Sequence, residues 1–287
     1  MQNRAMAPPA AAPSPAAAEI QYRHPLPLRL THWINAVALT ILLMSGLSIF
    51  NAHPALYWGK SSYTGRPPLL EMPALQFPDG RWVGITRVLG RDFDTTGLFG
   101  VSNDRNGEPT PRGFPWWATI PDNQWLAMAR AWHLFFAWVL VLNGLVYVGY
   151  ALASGHVARD LVPTRRDWRG LPASLLDHLR LRHPAGEAAK RYNVLQRLAY
   201  LFVVFVLLPF IVVMGLAMSP WANAVAPGWV DVVGGRQSAR TLHFVAAWTL
   251  VAFVLVHVFQ VVVTGLWNNL RSMVTGRYRV PGEARHD

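Results

Sequence analysis

The chain has 287 residues, of which 52% are hydrophobic and 14% charged, against roughly 25% charged in an ordinary soluble protein. It contains no cysteine, which excludes a disulfide framework, an iron–sulfur cluster, a cysteine zinc site and covalent haem attachment through C-x-x-C-H. A formal charge of +11 suits nucleic acid in a soluble protein, so the placement of the charges decides what they mean.

Residues 1–21 are rich in Ala and Pro and lack a continuous apolar core, so they read as a flexible tail and not as a cleaved signal. Leu30–Phe50 is the first of four long apolar segments, and Arg4, Arg23 and Arg29 precede it against Glu19 alone. Residues 51–124 carry seven basic and seven acidic side chains. This connection is unusually long for a link between helices, and its Pro, Gly and aromatic residues predict a folded external cap with short helices or turns. Trp58, Trp82, Trp116 and Trp117 suit a membrane-interface belt, a docking surface for a partner, or both.

Leu126–Leu152 is the second apolar segment, and the following connection, 151–193, holds eight basic residues against four acidic ones. Val194–Met218 is the third, followed by a stretch whose only charges are Asp231 and Arg236. Leu242–Trp267 is the fourth, and the tail beyond it carries Arg271, Arg277, Arg279 and Arg285 against Glu283 and Asp287. Each apolar segment has about 20 to 27 residues, enough for a helix to cross a hydrocarbon core of roughly 30 Å. The expected fold is an all-α membrane protein, a four-helix bundle over residues 22–275 with 276–287 as a tail. The three positive regions fall on one side of it, which places both termini in the cytoplasm. The arginine excess therefore borders membrane spans, and the nucleic-acid reading loses its support.

Four of the ten histidines, His32, His133, His243 and His257, lie in these segments or at their edges. His243 and His257 are 14 residues apart, so on one helix they stand about 40° short of four full turns and about 21 Å apart along the axis. One face of the fourth helix thus presents an imidazole at each of two depths. His133 begins the second segment at the external level of His243, and His32 begins the first at the level of His257. A lone buried histidine is by default a satisfied core group, but four at matched depths call for a use. Two stacked bis-imidazole sites, each holding one haem, provide it, and iron with both axial positions filled suits electron transfer. A single tetrahedral zinc centre is excluded by the separation in depth.

Small and basic residues sit near these positions. Gly46 follows His32 by 14 residues and Gly144 follows His133 by 11, each on nearly the same helix face as its histidine. They, and more weakly Gly215, let a bulky ring approach the backbone or serve ordinary helix packing. Arg130 and Arg240 each stand three residues before an external histidine, where pairing with haem propionates competes with snorkelling or headgroup contact. Arg23 and Arg29 flank the start of the first span with His24, and Asn35, one turn from His32, is placed to touch a quinone. His53, His156, His178, His183 and His286 read as solvated or local hydrogen-bonding groups.

The segments Arg29-Leu30-Thr31-His32-Trp33, Met44-Ser45-Gly46-Leu47, Arg130-Ala131-Trp132-His133 and Arg240-Thr241-Leu242-His243, followed by His257, resemble the bacterial cytochrome b561 and nickel–iron hydrogenase b-subunit superfamily. That superfamily includes cytochrome b subunits paired with thiosulfate reductases, formate dehydrogenases and periplasmic molybdenum enzymes. The resemblance covers most of Tyr22–Thr275. It implies two haems b, held by His133 with His243 and by His32 with His257, in an inner-membrane subunit passing electrons between quinone and a partner redox protein. The subunit itself carries no catalytic residue in this reading. The 51–124 insertion and the lack of an obvious quinone signature depart from the pattern, and the Trp-rich cap favours a periplasmic partner, a molybdopterin oxidoreductase or a c-type cytochrome. A hydrogenase anchor is the alternative within the class, and a haem-free proton-relaying transporter the alternative outside it.

Overall fold

A computed structural model describes residues 19–63, 65–179 and 193–280. Most of the expected N-terminal tail, His183, His286 and the last seven residues lie outside the described residues. Four helices are long and apolar enough to cross a membrane: Leu26–Asn51 (α1), Leu126–Ala153 (α2), Val194–Ala217 and Arg236–Val263 (α8). At 24 to 28 residues they are about 36–42 Å long. Leu134, Phe135, Trp138, Leu142, Leu145 and Val146 of α2 all face outward, as do Val245, Leu255, Val256 and Phe259 of α8. Such faces are stable only against lipid.

The third span is composite. It begins at α5 (Val194–Phe202), where Asn193 Oδ1 accepts from Leu195 N at 3.1 Å and Gln196 Oε1 accepts from Asn193 N at 3.2 Å. It then widens through a π turn, Val203–Leu207, before continuing as α6 (Leu208–Ala217). Pro209 supplies the cause: it has no N–H for the preceding turn, and its ring crowds that turn's carbonyl. α1 packs along α2, and α6 packs against α8.

Two further helices, α3 (Arg165–Arg169) and α4 (Leu171–Leu179), follow α2, and α7 (Pro220–Val225) links α6 to α8. After α8 a break at Thr264–Gly265 leads into α9 (Leu266–Thr275). The fourth span is therefore shifted toward the N-terminus relative to the apolar segment Leu242–Trp267, and Trp267 belongs to a separate helix. Apolarity cannot report this shift, because the first turns of α8 are polar. Strand β1 (Ile20–Tyr22) pairs antiparallel with the last strand, β9 (Arg277–Arg279), so both described ends meet at one end of the bundle. There Arg29 Nη1 donates to Val274 O and Trp33 Nε1 to Met273 O at 3.1 Å, satisfying carbonyls of the last turn of α9.

The opposite end carries the cap, and here the expectation of short helices or turns is corrected. The cap is mainly β structure: β2 (Ala55–Leu56), β3 (Leu70–Glu71), β4 (Ala74–Gln76), β5 (Trp82–Val88) and β6 (Arg91–Asp94) form one sheet ordered β2-β3-β5-β4, with β6 on β5. A hairpin of β7 (Gly100–Asn103) and β8 (Pro109–Arg112) completes it. Strands this short carry too little alternation to stand out among prolines and glycines. An apolar cluster of Leu47, Phe50, Leu56, Met72 and Phe114 seats the cap on the end of α1. Asn51 reinforces it by exchanging two hydrogen bonds with the Phe114 backbone, at 2.7 and 3.1 Å.

The cap also forms the start of α8. Gly235, the N-cap residue, has no side chain to satisfy the helix's first N–H groups. The Gly59 carbonyl takes that place, accepting from Gln237 N at 3.0 Å and Ser238 N at 3.2 Å, while Ser238 Oγ accepts from Gly59 N at 2.8 Å. Gly235 has φ +102°, and a Cβ there would stand 2.7 Å from Lys60 Cα. Only glycine permits this approach.

Candidate functional site

α2 and α8 bring His133 and His243 together near the cap, with ring centres 6.1 Å apart and ring planes at 62°. α1 and α8 bring His32 and His257 together near the chain ends, 6.3 Å apart and at 56°. All four predicted histidines therefore form two pairs, at the two depths that their spacing on α8 requires.

Hydrogen bonds orient the cap-end pair. His243 Nδ1 lies 2.9 Å from the Ile211 carbonyl, which can only accept, so Nδ1 carries the ring proton and the Nε2 lone pair is left over. His133 Nδ1 lies 3.1 Å from Ser45 Oγ. That hydroxyl donates to Ile41 O at 2.7 Å, which leaves Ser45 to accept from His133 and assigns the same tautomer. In the other pair, His32 Nδ1 is buried with no hydrogen-bond partner among the described residues. Trp33 meets the His32 ring edge-on at 5.3 Å, and Phe253 stacks on His257 at 5.9 Å.

The glycines divide. A Cβ at Gly46 would stand 3.4 Å from His133 Cε1, and one at Gly215 3.5 Å from His243 Cε1, so each glycine lies against the imidazole itself. Gly215, the weaker sequence inference, is thus the exact structural counterpart of Gly46 on the other side of the pair. Gly144 differs, since a Cβ there would meet nothing within 4 Å.

The arginines divide as well. Arg130 is exposed, with no hydrogen bond or ion pair among the described residues. Arg240 Nη2 donates to His53 O at 2.5 Å, and its guanidinium lies 5.5 Å from the centre of the Phe50 ring. It ties the cap to α8 one turn before His243.

Sequence reasoning missed one buried polar group, Asn143, whereas His53 is the local hydrogen-bonding group expected. Asn143, buried in α2, donates to Thr31 O at 2.8 Å and to Asn35 Oδ1 at 2.7 Å, which fixes α1 against α2 beside His32. Nothing but its isolation as a carboxamide in an apolar helix could have marked it. His53, beyond the end of α1, stacks on Tyr57 at 5.9 Å, and its Nδ1 lies 3.2 Å from the Tyr63 hydroxyl. Burial and then the Arg240 charge lower its pKa, against a smaller opposite effect from Glu71. At the other end His24 is buried, and its pKa falls to about 4 through burial first and then the charges of Arg23, His32, His156 and Arg29.

The profile of prokaryotic cytochrome b561 matches residues 23–276, nearly the whole chain and all four spans. The chain belongs to the prokaryotic cytochrome b561 family. Within it, the chain is 30% identical over 243 residues to a putative protein-methionine-sulfoxide reductase subunit, YedZ1, of Azospira oryzae, covering 85% of this chain and 91% of that one. It is 24% identical over 273 residues to a probable Ni/Fe-hydrogenase B-type cytochrome subunit of Cupriavidus necator, covering 89% and 85%. A probable Ni/Fe-hydrogenase B-type cytochrome subunit of Azotobacter vinelandii is 29% identical over 211 residues, covering 66% of this chain and 83% of the relative. No solved structure matches. This cytochrome b561 is accordingly a membrane protein of a haem b family, with relatives named as subunits of reductase and hydrogenase complexes.

Proposed function

We propose that this cytochrome b561 holds two haems b, one between His133 and His243 and one between His32 and His257, and carries electrons between membrane quinone and a redox enzyme docked on the cap. The ring separations of 6.1 and 6.3 Å carry the reading. Two metal–nitrogen bonds of about 2 Å, with roughly 1 Å more from each nitrogen to its ring centre, add up to about 6 Å. Both pairs fit one metal between the rings. Among the described residues no three His, Asp or Glu converge as a metal site, so a bare ion lacks a donor set that a macrocycle would supply.

Bound haem supplies one-electron redox chemistry. The chain's own residues do the rest. Ser45 and the Ile211 carbonyl hold the cap-end rings in the tautomer with Nε2 free, and Gly46 and Gly215 let neighbouring helices close on those rings. The open space at Gly144 suits a macrocycle edge. An aromatic bridge, Phe114 to Phe50 at 5.6 Å and Phe50 to Phe244 at 5.0 Å, links the cap to the residue after His243, which supports the cap as the docking side.

The positive-inside distribution supports an orientation in the bacterial inner membrane with both termini in the cytoplasm and the cap outside it. The partner is a periplasmic oxidoreductase subunit or cytochrome, in keeping with the reductase and hydrogenase subunits among the relatives. The deciding experiment is a haem assay and dithionite-reduced spectrum of the protein purified from membranes of haem-sufficient cells. Two b-type haems per chain are expected, and their absence defeats the reading. Co-purification of the intact complex identifies the partner.

A further inference from the structure

Residues 20–33 and 264–280 meet at the end of the bundle away from the cap, and together they carry Arg23, Arg29, Arg271, Arg277 and Arg279 with no acidic side chain. Glu19, whose carbonyl accepts from Val280 N at 2.9 Å, flanks them as a single acid. α9 joins the two segments. Asn269 Nδ2 donates to Val261 O at 3.2 Å and to Thr264 Oγ1 at 2.9 Å, which turns this helix back against the end of α8. Its last turn accepts from Arg29 and Trp33, in the first two turns of α1. With 10 residues α9 is about 15 Å long and is held between the feet of two spans, so it runs along the membrane surface and does not extend the fourth span. Trp267, Arg271 and Val274 form its outward stripe, with Trp267 80% and Val274 63% exposed and Ser272 buried behind them. The β1–β9 ribbon continues this face. Asn268 fastens β9 to α9 by donating to Arg279 O at 2.7 Å and accepting from Arg279 N at 2.9 Å. Arg277 and Arg279 are exposed while Tyr278 between them is buried, and their cross-strand partners Tyr22 and Ile20 are exposed as well. Arg29 is committed to Val274 O, and Arg23 lies 4.7 Å from the centre of the Tyr278 ring. The side chains of Arg271, Arg277 and Arg279 make no hydrogen bond or ion pair among the described residues.

We propose that α9 and the β1–β9 ribbon form an interfacial binding site for anionic phospholipid, in which Arg271, Arg277 and Arg279 hold headgroup phosphate while Trp267, Val274 and Tyr22 seat at the boundary of the acyl chains. A guanidinium offers a phosphate two parallel N–H donors, and a cluster of arginines without acids draws negatively charged lipid to itself. Tryptophan and tyrosine suit the headgroup depth because an apolar ring carries a polar edge. Depth selects the membrane as the occupant. The last turn of α9 is bonded to Arg29 and Trp33, and the next outward side chains along α1, Ile34 and Val37, already belong to the lipid-facing surface. The arginines therefore stand level with the first turns of a span, where headgroups lie. This site is independent of haem and quinone.

The test uses the full chain in detergent, titrated with dioleoyl phosphatidylglycerol or dioleoyl phosphatidylcholine and read by native mass spectrometry. Wild type is expected to bind the first phosphatidylglycerol at least about tenfold more tightly than phosphatidylcholine, and R271Q/R277Q/R279Q to lose that preference. R66Q/R91Q/R236Q removes the same charge from exposed positions at the cap end and is expected to keep it. No preference in wild type, or an equal loss in both triple variants, overturns the site. Displacement of bound phosphatidylglycerol by an equal concentration of glycerol 3-phosphate shows a bare anion site. Binding of poly-glutamate in place of phosphatidylglycerol, with the same arginine dependence, shows a surface for an acidic protein. Either result overturns the lipid assignment. The single variants R271Q and R279Q alter exposed side chains and are each expected to weaken phosphatidylglycerol about fivefold, so they keep the test decisive if the triple variant fails to fold.

Discussion

Ser45 Oγ stands 3.1 Å from His133 Nδ1 while its own proton is committed to the Ile41 carbonyl. Together with the Leu42 carbonyl, which also accepts from His133, a serine one helix away helps fix which imidazole nitrogen keeps a lone pair, and it does so by having its donor already spent. Such support orients a ligand and raises its basicity. S45A is expected to retain the fold but raise the midpoint potential of the cap-end haem, with about 10- to 100-fold weaker haem retention there. Redox titration and haem assay check this, and an unchanged potential argues against a tuning role for Ser45.

Replacing His243 removes one half of the cap-end pair, and replacing His257 one half of the other. H243F and H257F are each expected to lose one haem of two, and not the same one. Low-temperature spectra of the reduced variants distinguish the two losses. Two core histidines without cofactors would instead leave both spectra blank and unchanged.

Gly235 combines φ +102° with a Cβ position 2.7 Å from Lys60 Cα. G235V therefore faces backbone strain and a clash with backbone at the point where the Gly59 carbonyl caps α8. It is expected to cost about 1–3 kcal/mol from the strained φ alone. Thermal unfolding in mild detergent measures the loss, and proteolysis of the cap is expected to accelerate with it.

The pKa of His24 lies near 4 in the folded chain against an ordinary 6.5, because burial and neighbouring cationic groups oppose its charge. Between these values the unfolded chain binds the extra proton, so stability falls as pH drops from about 6.5 to about 4 and is insensitive to His24 above that window. The full shift corresponds to about 3 kcal/mol. Denaturant unfolding of wild type and H24Q across this range tests it, and H24Q is expected to flatten the acid-side slope.

The membrane spans and the four histidines were legible because long apolar runs and the 14-residue interval on one helix are strong periodic signals. The cap was legible only as a neutral, structured insertion. Its strands are two to seven residues long and gain their identity from partners distant in the chain, which local pattern cannot supply. The same holds for the start of α8, where the Gly59 carbonyl caps the largely polar first turn, Arg236–Arg240. Arg240 donates to His53 O, a partner visible only once the cap is folded. Asn143 gave no periodic signal, and its role depends on the register of α1 against α2.

α8 contributes one member of each histidine pair, and of the four spans it is the last to leave the ribosome. His32 and His133 are in place early but face no opposing imidazole until Arg236–Val263 has been inserted. On the two-haem proposal, neither pair can close around a cofactor during synthesis of the first three spans, so haem capture at both depths would follow insertion of α8, and a nascent chain halted before α8 would carry no complete site.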